Sequence, residues 1–156
     1  MTASLRSKRV WIAAGVAVAW AFLAVGARAA GRAETLEAIH GIENPRNSPK
    51  PGKHGELGAY QFRPATWRMH TKVPFARALD RRISDEVAVR HYEWLKRGLV
   101  RNGLDPTPYN IGLAWNAGLS ATVRNRASSS AHDYAQRVSN LAHDFGATST
   151  RLASVR

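Results

Sequence analysis

Glu43 has the clearest potential for acid chemistry in this sequence. It lies in the segment Ile42-Glu43-Asn44-Pro45, at the predicted end of a helix that begins near Ala33 and cannot continue past the proline. The carbonyl groups at a helix C-terminus carry partial negative charge, which disfavours a carboxylate and raises its pKa. A carboxyl group that keeps its proton near neutral pH can act as a general acid. The alternative is a solvated glutamate at a frayed helix end.

Most other catalytic chemistries lack their residues in this chain. There is no cysteine, which excludes thiolate zinc sites, cysteine nucleophiles and disulfide bonds. The six histidines form neither an HExxH motif nor a close cluster with aspartate. There is also no Gly-x-Ser-x-Gly elbow and no phosphate-binding glycine loop. We therefore predict no metal site and no cofactor.

Two further segments follow Glu43 along the chain. Residues 55–66 have the sequence Gly-Glu-Leu-Gly-Ala-Tyr-Gln-Phe-Arg-Pro-Ala-Thr, in which Gln61 lies 18 residues after Glu43. Residues 113–118 have the sequence Leu-Ala-Trp-Asn-Ala-Gly. This combination resembles the lytic transglycosylase family of the lysozyme-like superfamily. The family pattern is Glu-Ser, a loop, Gly-x-x-Gly-x-x-Gln-x-x-Pro-x-Thr, a helix and Ala-Tyr-Asn-Ala-Gly. The resemblance covers about residues 33–145.

The resemblance implies that Glu43 cleaves peptidoglycan. It would protonate the oxygen that links N-acetylmuramic acid to N-acetylglucosamine, and the bond would break through an oxocarbenium-like transition state. Because the substrate's own 2-acetamido group stabilises the cation, a single carboxylate is sufficient. The resulting carboxylate would then take the proton of the muramic acid 6-hydroxyl group, which gives a 1,6-anhydro end without water.

The resemblance also implies a set of substrate-binding residues. Gly58 would let the backbone approach the sugar closely where a side chain would clash. Gln61 and Asn116 carry amide groups that suit the acetamido and lactyl groups of the sugar, or else a structural hydrogen bond. Trp115 offers a stacking face for a sugar ring, or else packs in the core.

The chain departs from the family pattern at two positions. The family serine after the acid is Asn44 here, which keeps a polar side chain for nearby backbone groups. The family tyrosine that points its hydroxyl group towards the acid is Trp115, whose indole has a donor but no acceptor. Tyr109, six residues earlier, is a further candidate for substrate contact. Tyr60 is another, although its family position is usually apolar, which favours the core.

The hydrophobic pattern predicts a mainly α fold, of the α+β lysozyme-like kind that the resemblance implies, with at most a small β-hairpin near residues 54–62. The clearest helix runs from Asp85 to Arg101, with Ser84 as its N-cap. We expect one domain over residues 30–146 and a frayed tail over residues 147–156. Further helices are predicted from Ala33 to Ile42, from Pro64 towards Thr71, from Pro108 to Asn116 and from Ala131 to Phe145.

The first 29 residues have the pattern of an export signal. Three basic residues between positions 6 and 9 precede an apolar stretch from Val10 to Ala27, and Ala27-Arg28-Ala29 is a small-x-small cleavage site. We predict cleavage after Ala29 and a periplasmic or extracellular domain. The alternative is membrane association through residues 10–27, retained as an anchor.

The strongly basic composition favours a polyanionic partner, or else only keeps the protein soluble; the charge alone does not distinguish the two. The formal net charge is +12, and loss of residues 1–29, which hold four basic residues and no acidic one, leaves +8. An exported protein is separated from the nucleic acids of the cell, so we expect no nucleic-acid partner. We expect the partner to be the polymer of the cell wall, that is, peptidoglycan glycan strands. The resemblance adds a secretion apparatus or a phage as settings in which such small enzymes open the wall locally.

Two other functions remain open from the sequence. A lysozyme-type or chitin-cleaving hydrolase on the same fold would need a positioned water and usually a second carboxylate. Glu56 is the only other acid in the motif region, and we predict that it is solvated. A wall-binding protein that has lost catalysis is the other alternative, because Trp115 replaces the family tyrosine.

Overall fold

The computed structural model describes residues 30–154, and helices account for 69% of these residues. The prediction of a mainly α fold is therefore confirmed. A 3₁₀ helix, Phe75–Leu79, precedes the α-helix that begins at Arg81. In chain order the α-helices are α1 (Arg32–Glu43), α2 (Pro64–His70), α3 (Arg81–Arg101), α4 (Pro108–Ala117), α5 (Leu119–Val123) and α6 (Ser129–Ser154).

The core lies where α6 packs against α1 and α4, with α3 packed on α1 and α4 as well. Ile39 of α1, Leu95 and Leu99 of α3, Ile111 of α4 and Val138 of α6 are completely buried. These residues recur at helical spacing on one face of their helices, and burial of such a face provides most of the stability of a helix in a protein. The packed helices therefore set the positions of the two ends of the loop between α1 and α2.

The segment expected to hold a β-hairpin contains one antiparallel bridge, between Leu57 and Phe62. Each of these two residues donates its N–H to the carbonyl oxygen of the other, over 3.0 Å. No strand occurs within residues 30–154. Gly58 and Gln61 both adopt positive φ, at 80° and 45°, so the chain turns back before a ladder can form.

The helix α3 begins four residues earlier than predicted. Asp80 is its N-cap, and the carboxylate of Asp80 accepts a hydrogen bond from the N–H of Ile83 over 3.3 Å. Ser84, the predicted cap, lies inside the helix and is completely buried, and its hydroxyl group has no hydrogen-bond partner in the described residues. The prediction was wrong because an equally good cap, Asp80, lies one turn upstream and begins the helix there.

The helix α6 continues beyond Phe145 to Ser154, so the prediction of a frayed tail from residue 147 was wrong as far as the structure describes it. Gly146 does not adopt the positive φ of a terminating glycine. The hydroxyl groups of Thr148 and Thr150 donate to the carbonyl oxygens of Asp144 and Gly146, over 2.9 and 3.0 Å. The last two turns bury little, because residues 147–154 are all exposed.

The predicted signal segment, residues 1–29, and the possible anchor within it lie outside the described residues. Within residues 30–154, no helix combines the length and the apolar character needed to cross a bilayer.

Candidate active site

A cavity of about 540 Å³ lies where the end of α1, the loop before α2, the middle of α3 and the end of α4 meet. Four of the predicted site residues line it: Glu43, Gln61, Trp115 and Asn116. These residues come from three segments separated in sequence, and α1 and α4 bring them together because both helices pack on α6.

Glu43 is the last residue of α1 and is half-buried in this cavity. Its Oε1 accepts a hydrogen bond from the hydroxyl group of Tyr134 over 2.8 Å. Burial raises the pKa of Glu43 above its ordinary value. The hydrogen bond from Tyr134 opposes that rise, the negative charge of Glu56 adds to it, and the positive charge of Arg137 lowers it. The result is a carboxyl group that holds its proton to a higher pH than a solvated glutamate.

Tyr134 is a hydrogen-bond partner of Glu43 that sequence reasoning missed. It lies on α6, 91 residues from Glu43, and its side chain is 5% exposed. Burial and the neighbouring Glu43 raise the pKa of Tyr134 well above its ordinary value, so its hydroxyl group stays a donor. The available signal was a tyrosine at a buried helical position, because a buried tyrosine hydroxyl needs a hydrogen-bond partner.

Asn44 ties the loop after Glu43 to the turn that carries Gln61. Its Oδ1 accepts the N–H of Ser48 over 2.8 Å, and its Nδ2 donates to the carbonyl oxygens of Ser48 and Gly58 over 3.0 and 3.2 Å. The Gly58 carbonyl also accepts from Gln61 Nε2 over 3.0 Å. Asn44 therefore has the backbone-binding role that its polar side chain suggested.

Gly58 lies behind the cavity rather than in its wall. It is buried, its φ is 80°, and a Cβ atom at this position would overlap the backbone carbonyl of Ala78. The glycine is therefore required by the contact with the segment before α3. This position does not fit the predicted approach of its backbone to a sugar.

Tyr60 and Tyr109 are both absent from the wall of the cavity. Tyr60 is 3% exposed, and its hydroxyl group donates to Asp85 over 2.7 Å. Tyr109 forms a hydrogen bond with His132 over 2.7 Å, between α4 and α6. Neither position supports the predicted contact with substrate, and Tyr60 occupies the core, its alternative.

Trp115 is half-buried and forms part of an aromatic wall. Its ring centroid lies 4.7 Å from that of His91, in an edge-to-face arrangement, and 5.6 Å from that of Phe62. Asn116 is exposed, and its amide group makes no hydrogen bond to the rest of residues 30–154. The wall therefore offers an apolar face beside a free amide group.

Glu56 places a second carboxyl group in the same cavity. Its side chain is 15% exposed and accepts a hydrogen bond from Arg63 over 3.2 Å, so Glu56 is partly solvated. Burial acts to raise the pKa of Glu56, but hydrogen bonds from the N–H of His54, from its own N–H and from Arg63 hold it below its ordinary value. The pKa values of Glu43 and Glu56 therefore move in opposite directions, a pattern that separates an acid from a base.

No protein-family model matches the chain, and no curated protein or solved structure matches it either. The residues of the cavity therefore carry the assignment of function. Within residues 30–154, no three His, Asp or Glu side chains lie close enough together to hold a metal ion. The cavity offers one carboxyl group of raised pKa, one of lowered pKa, a free amide group and an aromatic wall.

Proposed function

We propose that this protein is an exported lytic transglycosylase with a lysozyme-like fold, which cleaves peptidoglycan between N-acetylmuramic acid and N-acetylglucosamine. One observation carries the proposal. Glu43, with its raised pKa, shares a cavity with Gln61 and Asn116, which are the residues that the family motifs supply. A carboxyl group that is still protonated at the working pH is what a glycosidic oxygen requires.

In the proposed reaction, Glu43 donates its proton to the bridging oxygen as the bond to C1 of the muramic acid breaks. The substrate's 2-acetamido group stabilises the cation at C1. The Glu43 carboxylate next takes the proton of the 6-hydroxyl group, and O6 forms the new bond to C1. Glu43 thus ends the cycle protonated, and no water is consumed.

Tyr134 supports this cycle because it holds Glu43 in both protonation states. Its hydroxyl group donates to Oε1, which orients the carboxyl group and stabilises the carboxylate that forms after proton transfer. The hydroxyl group missing at Trp115 is therefore supplied by α6. This contact argues against the alternative of a wall-binding protein that has lost its catalytic machinery.

The test of the proposal is digestion of purified peptidoglycan by the wild type and by Glu43→Gln. We expect Glu43→Gln to lose at least about a hundredfold in rate, the usual contribution of general acid catalysis. Glu86→Gln, which changes an exposed glutamate paired with Arg82 on α3, is the matched control and should digest normally. Equal digestion by Glu43→Gln and the wild type would exclude the proposed role of Glu43.

A lysozyme-type hydrolase is a second candidate, and the position of Glu56 favours it. A carboxylate of lowered pKa in the cavity of the acid is the partner that a two-carboxylate mechanism uses. Mass spectrometry of the products separates the two reactions, because anhydro ends are lighter than reducing ends by one water. A transglycosylase releases anhydro ends and keeps doing so after Glu56→Gln, whereas a hydrolase releases reducing ends and loses activity in that variant.

The charge of the chain is consistent with work at the cell wall. The surplus of +8 over residues 30–156 attracts an anionic polymer, and the predicted export signal would deliver the domain to it. A retained anchor over residues 10–27 would hold the same domain at the membrane surface. Local wall opening for a secretion apparatus or a phage is the setting that we propose.

A further inference from the structure

Two histidines form a hydrogen-bonded pair at the aromatic wall of the cavity, which His91 forms together with Trp115 and Phe62. His91 lies in the middle of α3, is 7% exposed and lines the cavity. His70 is the last residue of α2, and its Nε2 lies 2.9 Å from Nδ1 of His91. The function proposed above uses neither residue, and no motif in the sequence identifies them.

Aromatic neighbours fix the orientation of the His91 ring. Trp94 stacks on it with a centroid distance of 5.7 Å and an interplanar angle of 13°. Trp115 contacts it edge-to-face at 4.7 Å, and Phe62 does the same at 6.1 Å. A ring held on three sides presents its free nitrogen in one direction, which is a requirement for selective binding.

The second ring nitrogen of His91, Nε2, has no hydrogen-bond partner among residues 30–154, whereas Nδ1 is occupied by His70. Among buried side-chain polar atoms of residues 30–154, only Ser84 Oγ lacks a partner, so Nε2 of His91 is not sealed in the core. Because His91 lines the cavity, the cavity is the side from which a ligand would approach Nε2.

The ring of His91 is uncharged near neutral pH. Burial lowers the pKa of His91 to about 3, and the neighbouring His70 adds to the effect. The pKa of His70 is lowered as well, by burial and by the charges of Arg90 and Arg97. A neutral His91 is too weak a base to move protons at neutral pH, and it carries no charge to attract an anion. With Nδ1 occupied, Nε2 offers a single hydrogen bond, as donor or acceptor according to the tautomer that His70 selects.

We propose that Nε2 of His91 binds a hydroxyl group of a sugar residue seated against Trp115, and that His70 is a positioning residue that sets the tautomer of His91. A sugar hydroxyl group can donate or accept, so it can pair with the tautomer of His91 that His70 selects. An apolar wall with one directed polar atom is the usual composition of a pocket for a neutral ligand. The inference rests on the proposed function, because it assigns the ligand to the same cavity as Glu43.

The experiment measures binding of a tetrasaccharide of alternating N-acetylglucosamine and N-acetylmuramic acid by calorimetry. It uses the Glu43→Gln protein, which binds without turnover. In that background we expect His91→Phe to raise the Kd about tenfold, which corresponds to the loss of one hydrogen bond. The phenylalanine keeps a flat ring between Trp94 and Trp115. In the otherwise wild-type enzyme the same change should raise KM and leave kcat within about twofold.

A second measurement requires no change at the histidines. In ¹⁵N spectra of the Glu43→Gln protein, the tetrasaccharide should shift the Nε2 resonance of His91 and leave that of His143, an exposed residue of α6, in place.

Substitution of His70 tests its positioning role. His70→Phe should change the tautomer pattern of His91 and weaken binding. His70→Gln, which keeps a donor and an acceptor, should restore both.

The outcomes separate this inference from the proposed function. If the wild type cleaves peptidoglycan but His91→Phe binds as tightly as its parent, or the His91 resonance stays in place, the inference is wrong and the proposed function stands. If the Glu43→Gln protein binds no tetrasaccharide and the wild type cleaves nothing, both are wrong.

Discussion

The carboxyl group of Glu43 is under opposing influences, each traceable to one feature of the site. Burial and the charge of Glu56 favour its protonated form, whereas Tyr134 and Arg137 favour the carboxylate. An acid that must donate a proton and then recover one benefits from this balance, because neither form is stabilised too strongly. The three contributions from side chains can be removed by substitution one at a time, so the pH dependence of the proposed reaction is a direct probe of the site.

Two substitutions should shift the alkaline limb of the pH–rate profile in opposite directions. Activity falls as Glu43 loses its proton, so the limb follows the pKa of Glu43. Tyr134→Phe removes a hydrogen bond that lowers this pKa and should move the limb to higher pH, with a rate about tenfold lower because the carboxyl group is less well oriented. Glu56→Gln removes a negative charge that raises the pKa and should move the limb to lower pH. Shifts in the same direction would contradict the assignment of Glu43 as the acid.

Glu43 should also lower the stability of the folded protein at neutral pH. Because its pKa is higher in the folded than in the unfolded state, the favourable contribution of its protonated form is complete at low pH and is lost as the pH rises through the folded-state pKa. Glu43→Gln should therefore have a higher Tm than the wild type at pH 7. The difference should vanish below about pH 4, near the unfolded-state pKa. A Tm difference that does not depend on pH would show that burial of this carboxyl group is not the cause.

At the scale of the elements, the turn over residues 57–62 is the part on which the site depends most. It places Gln61 in the cavity, and its Gly58 carbonyl accepts hydrogen bonds from both Asn44 and Gln61. The turn is held from behind by the 3₁₀ helix, whose Ala78 carbonyl lies where a Gly58 side chain would be. The position of Gln61 in the cavity therefore depends on how closely the 3₁₀ helix packs against this turn.

Gly58→Ala and Gly55→Ala form a matched pair that tests this role. Both glycines have φ near 80°, so each alanine costs about 1–2 kcal/mol for the left-handed backbone. Gly55 has open space around it, whereas a Cβ at Gly58 overlaps the Ala78 carbonyl, which adds about 1–3 kcal/mol. Urea denaturation should therefore show a clearly larger loss for Gly58→Ala, and only that variant should also lose activity, because Gln61 moves. Equal losses of stability would mean that the contact with Ala78 is unimportant.

The helix boundaries show where local rules were sufficient. Pro64 and Pro108 both lie at the first position of a helix, and Gly118 follows α4 with a φ of 86°, as their types predict. The start of α3 was misplaced because Asp80 and Ser84 are both good caps and only packing selects between them. The end of α6 was misplaced because a glycine marks a helix end only when the backbone turns there.

At the scale of the whole molecule, the surplus of positive charge predicts how the domain binds its polymer. Binding to intact cell wall should weaken at least tenfold between about 50 and about 500 mM NaCl, because salt screens charges across that range. Binding to uncharged chitin oligosaccharides should change little, since it depends on the cavity alone. A pull-down of the Glu43→Gln protein with each polymer measures both. Salt-independent binding to the wall would mean that the charge of +8 only keeps the protein soluble.

The helical class, most helix positions and the place of Glu43 at the end of α1 could be predicted from the sequence, because caps, prolines and apolar spacing act within a few residues. The motif spacing of the family resemblance also predicted Gln61, Trp115 and Asn116 as substrate-binding residues, and all three line one cavity with Glu43. Packing between distant segments sets which groups surround Glu43, since Tyr134 is 91 residues away and the place of Glu56 in the cavity depends on how its loop folds. The position of Gly58 against Ala78 and the pairing of His70 with His91 were decided in the same way. The physical reason is that side chains reach one another across helices only after packing has set the distances between those helices.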